Sequence, residues 1–340
     1  MKKVTLEHIA KDLNVSKNTV SKALRGMPGV SEILRKRIID LARETGYIKS
    51  GTQQSGLDER AVNIILICRK SYFNETTFWS QVFYGIWDFS GQNNISIRTI
   101  TIENTADELS AVAVTSNSVY DGCIIVGSIR EELLEKIAEA KKPVVVIDCY
   151  SNEVECDYIN SANGRGIYKA LKYLYDKNHR KIGFINNIEG AYSFTQRYEA
   201  FVRYMGHFGL AVDERFVWKD AVYIDTKYYK EKISALRHLA EFPTAWICVN
   251  DNTAMAFYNA LTELGIRVPE DISIIGFDNI ASIYTPFLTT IDVPQKAMGK
   301  KAMQQLLLRI QHPEEPCVSI QMNTSLVERD SVRALDNSDS

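Results

Sequence analysis

Seven short apolar runs, separated by amphipathic stretches, constrain the fold of this chain more than any other feature of its sequence. The runs lie at residues 61–68, 95–102, 122–126, 144–147, 182–185, 245–249 and 272–276. Their length, their β-branched residues and the turn residues around them are typical of buried strands, and the stretches between them fit helices of about 10 to 15 residues. Repeated strand–helix units predict a parallel, doubly wound sheet. Because there are too many units for one small sheet, we predict an α/β body of two such subdomains.

The first 46 residues follow a different pattern, with apolar residues at helical spacing in three short segments. Thr5 and Ser16 stand where they can cap the first two predicted helices. Ala10 provides the small residue at which these helices approach each other, and Asn14-Val15 forms the turn between them. These features indicate a helix-turn-helix. The predicted fold is therefore an all-α helix-turn-helix head over residues 1–48, followed by the α/β body.

The outward face of the second predicted helix carries polar side chains that suit contact with DNA. In such folds this face enters the major groove. An Asn can hydrogen-bond adenine through both ends of its amide and a Lys can donate to guanine, whereas hydroxyl groups and the helix start are better suited to phosphates. The alternative is that the polar residues form a solvated helix face. The DNA-binding candidates in the head are Thr5, Ser16, Lys17, Asn18, Thr19, Ser21 and Lys22.

Charge is unevenly distributed along the chain. Residues 1–60 carry 12 Lys and Arg against 7 Asp and Glu, whereas the remainder carries 28 against 35. A basic head on an acidic body fits a nucleic-acid-binding module joined to a larger domain. Chance is the alternative explanation, because small domains often differ by a few charges.

The composition of the chain also indicates the cellular compartment of the protein. No apolar run approaches the ~18 to 20 residues of a membrane span, and the charged N-terminus lacks the apolar segment of a signal peptide. We therefore expect a cytoplasmic protein without a membrane partner. None of the six cysteines forms a Cys-x-x-Cys motif, which favours free buried thiols over a disulfide framework or a metal site. No cofactor is expected.

A long motif runs through the head, and it reads Val4-Thr5-Leu6-x-x-Ile9-Ala10-x-x-Leu13-x-Val15-Ser16-x-x-Thr19-Val20-Ser21-Lys22-Ala23-Leu24. Gly29-Val30-Ser31 and Gly46-Tyr47-Ile48 follow it. This motif and its spacing resemble the head of the lactose/galactose repressor family. The resemblance continues at residues 268–278, 288–291, 298–299 and 326–331. It implies a transcription regulator of repressor type that binds operator DNA, with Lys17, Asn18 and Lys22 at base-reading positions.

The resemblance also implies how the chain is divided. The body is expected to resemble periplasmic binding proteins, with a first subdomain over about 61–160 and 291–320 and a second over about 161–290 and 321–335. Residues 49–60 are the linker. Members of the family carry a hinge helix there that wedges a leucine into the minor groove, and Leu57 is the candidate for that role. Each interior Gly costs a helix about 1 kcal/mol relative to Ala, so a flexible tether is the alternative at this Gly-bearing segment.

A two-subdomain α/β body binds its ligand in the cleft at the carboxyl ends of its strands. An aromatic pair there can stack on a sugar ring or a base, and an Arg fork suits vicinal hydroxyls or a carboxylate. Core packing and turn or cap chemistry are the structural alternatives. A sugar is the favoured effector, and a nucleoside or nucleobase uses much the same residue types. Carried over by position, the ligand-binding candidates are Phe78, Trp79, Ser193, Arg197, Tyr223, Asn250 and Asp278.

The sequence disfavours two other classes of protein. An enzyme is disfavoured because the five histidines are scattered and no nucleophile-elbow, dinucleotide or phosphate-loop motif is present. A transport-type binding protein is disfavoured by the basic head. We expect a homodimer, because one head buries too little surface for tight operator binding. Its expected contact face comprises residues 289–308 and the first subdomain's helices, including Val82, Phe83 and Ile86.

Overall fold

The structure is a computed structural model that describes residues 4–24, 29–45, 47, 61–74, 78–187, 191–221, 225–280 and 286–336. The chain divides into two compact units, Met1–Ala61 and Val62–Ser340. We call them the head and the body.

The head contains three helices, α1 (Leu6–Asp12), α2 (Lys17–Leu24) and α3 (Glu32–Glu44). Thr5 caps α1 together with His8, as the capping pattern requires. The turn between α1 and α2 places Asn14 at a φ of 49°, and the Val15 N–H donates to the Ala10 carbonyl at 2.9 Å. The predicted helix-turn-helix is confirmed. Its small core is built by Ile9, Ala10, Val20, Ala23, Ile38 and Ala42.

The body alternates strands and helices along the chain. In chain order its elements are β1 (Val62–Arg69), α4 (Ser71–Asn74), α5 (Phe78–Gln92), β2 (Ile95–Ile102), α6 (Thr105–Asn117), β3 (Gly122–Val126), α7 (Glu131–Ala138), β4 (Val144–Ile147), β5 (Asp157–Ser161), α8 (Asn163–Asp176), β6 (Ile182–Ile185), α9 (Tyr192–His207), β7 (Val217–Trp218), α10 (Thr226–Leu236), β8 (Ala245–Cys248), α11 (Asp251–Glu263), β9 (Ser273–Asp278), β10 (Thr289–Asp292), α12 (Gln295–Gln311), β11 (Ser319–Met322) and β12 (Ser325–Val327). A 3-10 turn lies at Glu214–Phe216.

These strands form two six-stranded sheets. The first has the order β11-β5-β4-β3-β1-β2 and is parallel throughout. The second has the order β12-β10-β9-β8-β6-β7, and only β12 pairs in an antiparallel sense. We call the first sheet with α4 to α7 and α12 the first lobe, and the second sheet with α8 to α11 the second lobe. The predicted architecture of two doubly wound subdomains is confirmed.

The chain passes between the lobes after β5, after β10 and after β11. The sequence-based boundaries of the subdomains were one or two residues off at these points. Residues 291–292 were assigned to the first subdomain, but β10 pairs with β9 and so lies in the second sheet. Residues 321–322 were assigned to the second subdomain, but β11 pairs with β5 as far as Met322. Strand pairing decides to which subdomain these residues belong, because hydropathy does not show which sheet a strand joins.

Several of the core features follow directly from composition. The central strands β3, β4, β6 and β8 are buried along their whole length, as expected for apolar strands covered by helices on both faces. Five of the six cysteines are buried, as predicted, but Cys317 is exposed and that part of the prediction was wrong. No helix of the described residues is long and apolar enough to cross a membrane.

Helices α5 and α12 approach closely because glycines stand at their crossing. A Cβ atom added to Gly85 would lie 2.0 Å from the carbonyl oxygen of Lys296, and one added to Gly299 would lie 2.1 Å from that of Val82. Val82, Phe83 and Ile86 are buried in the interior of this same lobe. The expectation that these three residues supply a dimer face was therefore wrong, because their side chains are already covered within the chain.

We expect Gly85→Ala to destabilise the body by about 1 to 3 kcal/mol, because the methyl group must displace the backbone of α12. Gly91→Ala in the same helix meets open space and is the matched control. It should stabilise by about 0.5 to 1 kcal/mol, the usual gain from replacing a helical Gly. Urea unfolding followed by tryptophan fluorescence measures both, since all four tryptophans lie in the body. Equal stability of the two variants would contradict the close crossing.

Candidate functional site

The start of α2 presents a polar face on the head. Ser16 caps this helix, with its Oγ accepting from the Thr19 N–H at 3.0 Å and lying 2.8 Å from the Thr19 hydroxyl. Lys17, Asn18 and Lys22 are exposed, while Ser21 is half-buried. Val20 and Ala23 face the core from the same helix. The structure thus brings the predicted base-reading and phosphate-binding residues of α2 onto one outward surface.

An ion pair modifies this surface. The Lys17 ammonium donates to the Glu7 carboxylate at 2.9 Å, and both side chains are well exposed. The hydrogen bond lowers the pKa of Glu7 and raises that of Lys17. An exposed pair of this kind is weak, so Lys17 can exchange Glu7 for an acceptor on DNA at little cost. Thr5 lies at the start of α1, where its hydroxyl is 2.8 Å from His8 Nδ1.

In the body, parallel pairing brings the carboxyl ends of neighbouring strands to one edge of each sheet. Contacts between the lobes show that these edges face each other. The Ser193 hydroxyl at the start of α9 donates to Asp148 Oδ2, which follows β4, at 3.1 Å. The rings of Tyr150 and Tyr192 stack across the same gap with centroids 5.9 Å apart. The cleft between the lobes is therefore the candidate ligand site, as predicted for this fold.

Arg197 organises the second lobe's side of the cleft. Its guanidinium is fully buried and donates to Asn163 Oδ1 at 2.9 Å, to the Val249 carbonyl at 2.7 Å and to Asp278 Oδ1 at 2.9 Å. It also lies over the ring of Phe277, 3.7 Å from its centroid. The ends of β8 and β9 and the start of α8 thus meet at one cation. The guanidinium fork holds these groups in one plane, which a Lys does not provide.

Asp148 was not assigned to the site from sequence, and it is the residue that extends the site into the first lobe. It is buried, and its Oδ1 has no hydrogen-bond partner within the described residues. Burial raises the pKa of Asp148 to about 7, the charge of Arg197 opposes this rise, and the charge of Asp278 adds to it. Burial also raises the pKa of Asp278. A buried carboxyl oxygen without a partner is costly in the free protein, and a ligand hydroxyl can satisfy it.

Both cleft carboxylates have unusual backbone conformations. Asp148 has a φ of 54° and Asp278 a φ of 97°, and Asn279 follows at 56°. Positive φ values in residues other than Gly cost of order 1 to 3 kcal/mol each and concentrate at ligand sites. The strands end in these conformations, so the carboxylates turn out of the sheets. The signal available in the sequence was position, because Asp148 directly follows the apolar strand β4 and Asp278 is the last residue of β9.

Asn250 and the aromatic candidates are more engaged in structure than the sequence indicated. Asn250 Oδ1 caps α11 by accepting from the Thr253 N–H at 2.9 Å, so its amide N–H groups are the part suited to a ligand. Phe78 and Trp79 are buried. Tyr72 stacks on Trp79 with centroids 4.3 Å apart, so one face of the indole is covered. Tyr72 was missed, since nothing in its sequence context marks it.

Two predicted positions lie outside the described residues. These are Tyr223 of the ligand set and Leu57 of the linker.

Comparisons with known proteins agree with this arrangement. The model of bacterial regulatory proteins of the lacI family matches residues 5–50, and the model of the periplasmic binding protein-like domain matches residues 171–332. The probable HTH-type transcriptional repressor ExuR of Bacillus subtilis (strain 168) is 30% identical, over 98% of this chain and 99% of its own length. The HTH-type transcriptional repressor PurR of Vibrio cholerae serotype O1 (strain M66-2) is 28% identical, over 98% and 99%.

Solved structures show the same fold. The CelR–cellobiose complex, a transcriptional regulator, matches with a TM-score of 0.72 at 21% identity, over 97% of this chain and 100% of that chain. The lac repressor dimer bound to operator and the anti-inducer ONPF matches with a TM-score of 0.70 at 22% identity, over 98% and 100%.

A helix-turn-helix head joined to a two-lobed body defines a DNA-binding transcription regulator with an effector-binding domain, and not an enzyme. The chain belongs to the lacI family of bacterial regulatory proteins.

The raised pKa of Asp148 predicts a pH dependence of stability. The folded body holds this proton up to about pH 7, whereas the unfolded chain releases it near the ordinary aspartate pKa of 3.8. Stability therefore falls as pH rises between these values, by at most ~1.4 kcal/mol per pH unit for one proton. Asp148→Asn removes the titration, so the variant should lose less stability than the wild type between pH 4 and 7. Urea unfolding at several pH values measures this, and parallel curves for the two proteins would contradict it.

Proposed function

We propose that this regulator is a homodimeric repressor whose affinity for its operator is set by a neutral, hydroxyl-rich effector, a sugar, bound in the cleft between the lobes. The observation that carries the proposal is the buried Arg197–Asp278 pair in the second lobe together with the buried Asp148 of the first lobe, one oxygen of which has no partner among the described residues. These buried side chains offer hydrogen-bond acceptors and donors in fixed positions, which suits the vicinal hydroxyls of a ligand. Asn250 and Ser193 complete the polar set.

A nucleoside or nucleobase is the second candidate effector. The buried aromatic pair Phe78 and Trp79 at the start of α5 supports it, since a base stacks on a ring as readily as a sugar does. The number of hydroxyl acceptors favours the sugar, because a nucleobase has few hydroxyls to donate to two carboxylates.

In this proposal the effector acts through closure of the cleft. Ser193–Asp148 and Tyr150–Tyr192 are contacts that a change in lobe spacing must alter. A ligand that binds one spacing more tightly shifts the population toward it. A coupling of about 1 to 3 kcal/mol is enough to change operator occupancy severalfold or more.

For the dimer, we propose a contact face on the outer side of α4 and α5 rather than the residues predicted from sequence. Phe73, Tyr84 and Trp87 are large apolar side chains that remain 41%, 52% and 44% exposed in the single chain. Phe73 stacks with both Phe83 and Trp87, so the patch is continuous with the lobe's core. Clustered exposed aromatics of this kind mark interaction surfaces.

We expect Arg197→Lys to remove the response to effector while operator binding survives. The variant keeps the charge opposite Asp278 but loses the fork that also holds Asn163 and Val249. Thermal unfolding of the full chain with a panel of sugars and nucleosides identifies the effector, since a ligand at a hundredfold its Kd stabilises by about 2.7 kcal/mol. Arg180→Lys is the matched control, because the contacts of Arg180 among the described residues are nearby backbone oxygens and the Tyr175 ring. An undiminished shift in Arg197→Lys would exclude this residue from the site.

For the head, we expect Asn18→Ala to weaken binding to the operator far more than binding to random DNA. A lost bidentate contact to a base costs about 1 to 3 kcal/mol of discrimination. The operator is obtained by selection from a randomised duplex pool, and a homodimer should select an inverted repeat. Lys36→Ala, which removes an exposed charge from α3, is the control for losses of non-specific affinity. Equal losses of Asn18→Ala on both DNAs would show that Asn18 contacts only the backbone.

A further inference from the structure

Two cysteines lie side by side where the edge strand of the first sheet begins. Tyr158 of β5 pairs with Ser319 of β11, and the Tyr158 N–H donates to the Val318 carbonyl at 2.9 Å. Extending this parallel register back by two positions places Cys156 beside Cys317. Paired positions on neighbouring strands lie about 4.8 Å apart and send their side chains to the same face of the sheet. That spacing falls within the Cα separation of about 4.4 to 6.8 Å that a disulfide spans.

A buried ion pair fixes the two segments relative to each other. Arg309 of α12 donates to both carboxylate oxygens of Asp157 at 2.9 Å and to the Pro316 carbonyl at 2.8 Å. Asp157 Oδ1 also accepts from the Val318 N–H at 2.8 Å. The residues on either side of Cys317 are thus tied to the residue that follows Cys156. These hydrogen bonds therefore fix the position of Cys317 relative to Cys156.

The surroundings give the two thiols different access to solvent. Both line one surface cavity of about 240 Å³. Cys317 is exposed and Cys156 is buried. Burial raises the pKa of Cys156 to about 12. Burial also raises the pKa of Cys317, while the charge of Arg309 lowers it. Cys317 is therefore the thiol that meets a dissolved reagent first.

We propose that Cys317 and Cys156 form a reversible oxidation site for hydrogen peroxide. The Cys317 thiolate attacks one peroxide oxygen, the O–O bond breaks, and the leaving hydroxide takes a proton to become water. The Cys156 sulfur then attacks the sulfenic sulfur of Cys317 and expels hydroxide, which takes the proton of the Cys156 thiol. Two thiols are oxidised to one disulfide, and one peroxide is reduced to two waters.

The bond would join the starts of β5 and β11, two of the three segments that continue into the other lobe. It would close a loop of most of the body and restrict the unfolded chain, which stabilises the folded state. The oxidised chain should therefore melt at a higher temperature than the reduced chain, and a dithiol reductant should reverse the change. Oxidation should be faster as pH rises, because only the thiolate attacks.

The test treats the full chain with hydrogen peroxide, blocks the remaining thiols under denaturing conditions and maps tryptic peptides by mass spectrometry without reduction. The expected product is one intramolecular cross-link between Cys317 and Cys156. The tryptic peptide that holds Cys156 also holds Cys149, so Cys149→Ser is included and should form the same cross-link. Cys317→Ser should lose the cross-link and the rise in Tm.

Three results would overturn the proposal. One is a Cys149–Cys156 bond in place of the predicted one. Another is oxidation of Cys317 to sulfinic or sulfonic acid without a cross-link, or its pairing between two chains. The third is full recovery of all thiols after treatment. Because Cys317 is exposed, its replacement by Ser should fold normally, and the unfolding curve of the untreated variant checks this.

Discussion

The arrangement of the cleft depends on one buried cation. Arg197 gathers a helix start, a strand-end carbonyl and a carboxylate, and it rests on the Phe277 ring beneath them. An unpaired buried charge would be prohibitively costly, so these partners must all be in place when the second lobe folds. Asp278 in turn adopts a positive φ to reach the cation. The same interaction therefore fixes the ends of β8 and β9 and creates the polar frame of the candidate site.

The first lobe contributes the complementary part of this frame. Asp148 accepts a hydrogen bond from Ser193 of the second lobe, its other oxygen has no partner among the described residues, and burial keeps its proton up to about pH 7. Strain and incomplete hydrogen bonding thus coincide at the place where two rigid sheets meet. A ligand that supplies the missing hydrogen-bond partners gains binding free energy from them. It gains this free energy only when both lobes contribute to the site. This is the physical basis for coupling effector binding to lobe spacing in the proposed function.

Much of the fold could be predicted from the amino-acid sequence. The runs at 95–102, 122–126, 144–147 and 182–185 became strands with those bounds, because short segments rich in β-branched residues and bounded by turn residues favour strands. β5 was not found, since Asp157, Asn160 and Ser161 interrupt its hydropathy. Asp157 is buried against Arg309, which is distant in sequence, whereas Asn160 and Ser161 bond to Cys149 and Asn163. The dimer face was misplaced for a similar reason, because Gly85 and Gly299 allow two helices to cover Val82.

The sequence by itself determined the class of protein, through the resemblance of its head motif to a known family. It also determined the helix-turn-helix with Lys17, Asn18 and Lys22 on its second helix and the parallel strands of the body, because local periodicity and capping carry that information. Tertiary structure alone decided which strands share a sheet, where the chain crosses between lobes, and that Ser193 of one lobe meets Asp148 of the other. It also placed Cys317 beside Cys156. These are pairings between residues tens to more than a hundred positions apart, and they follow from register and burial, which no local pattern specifies.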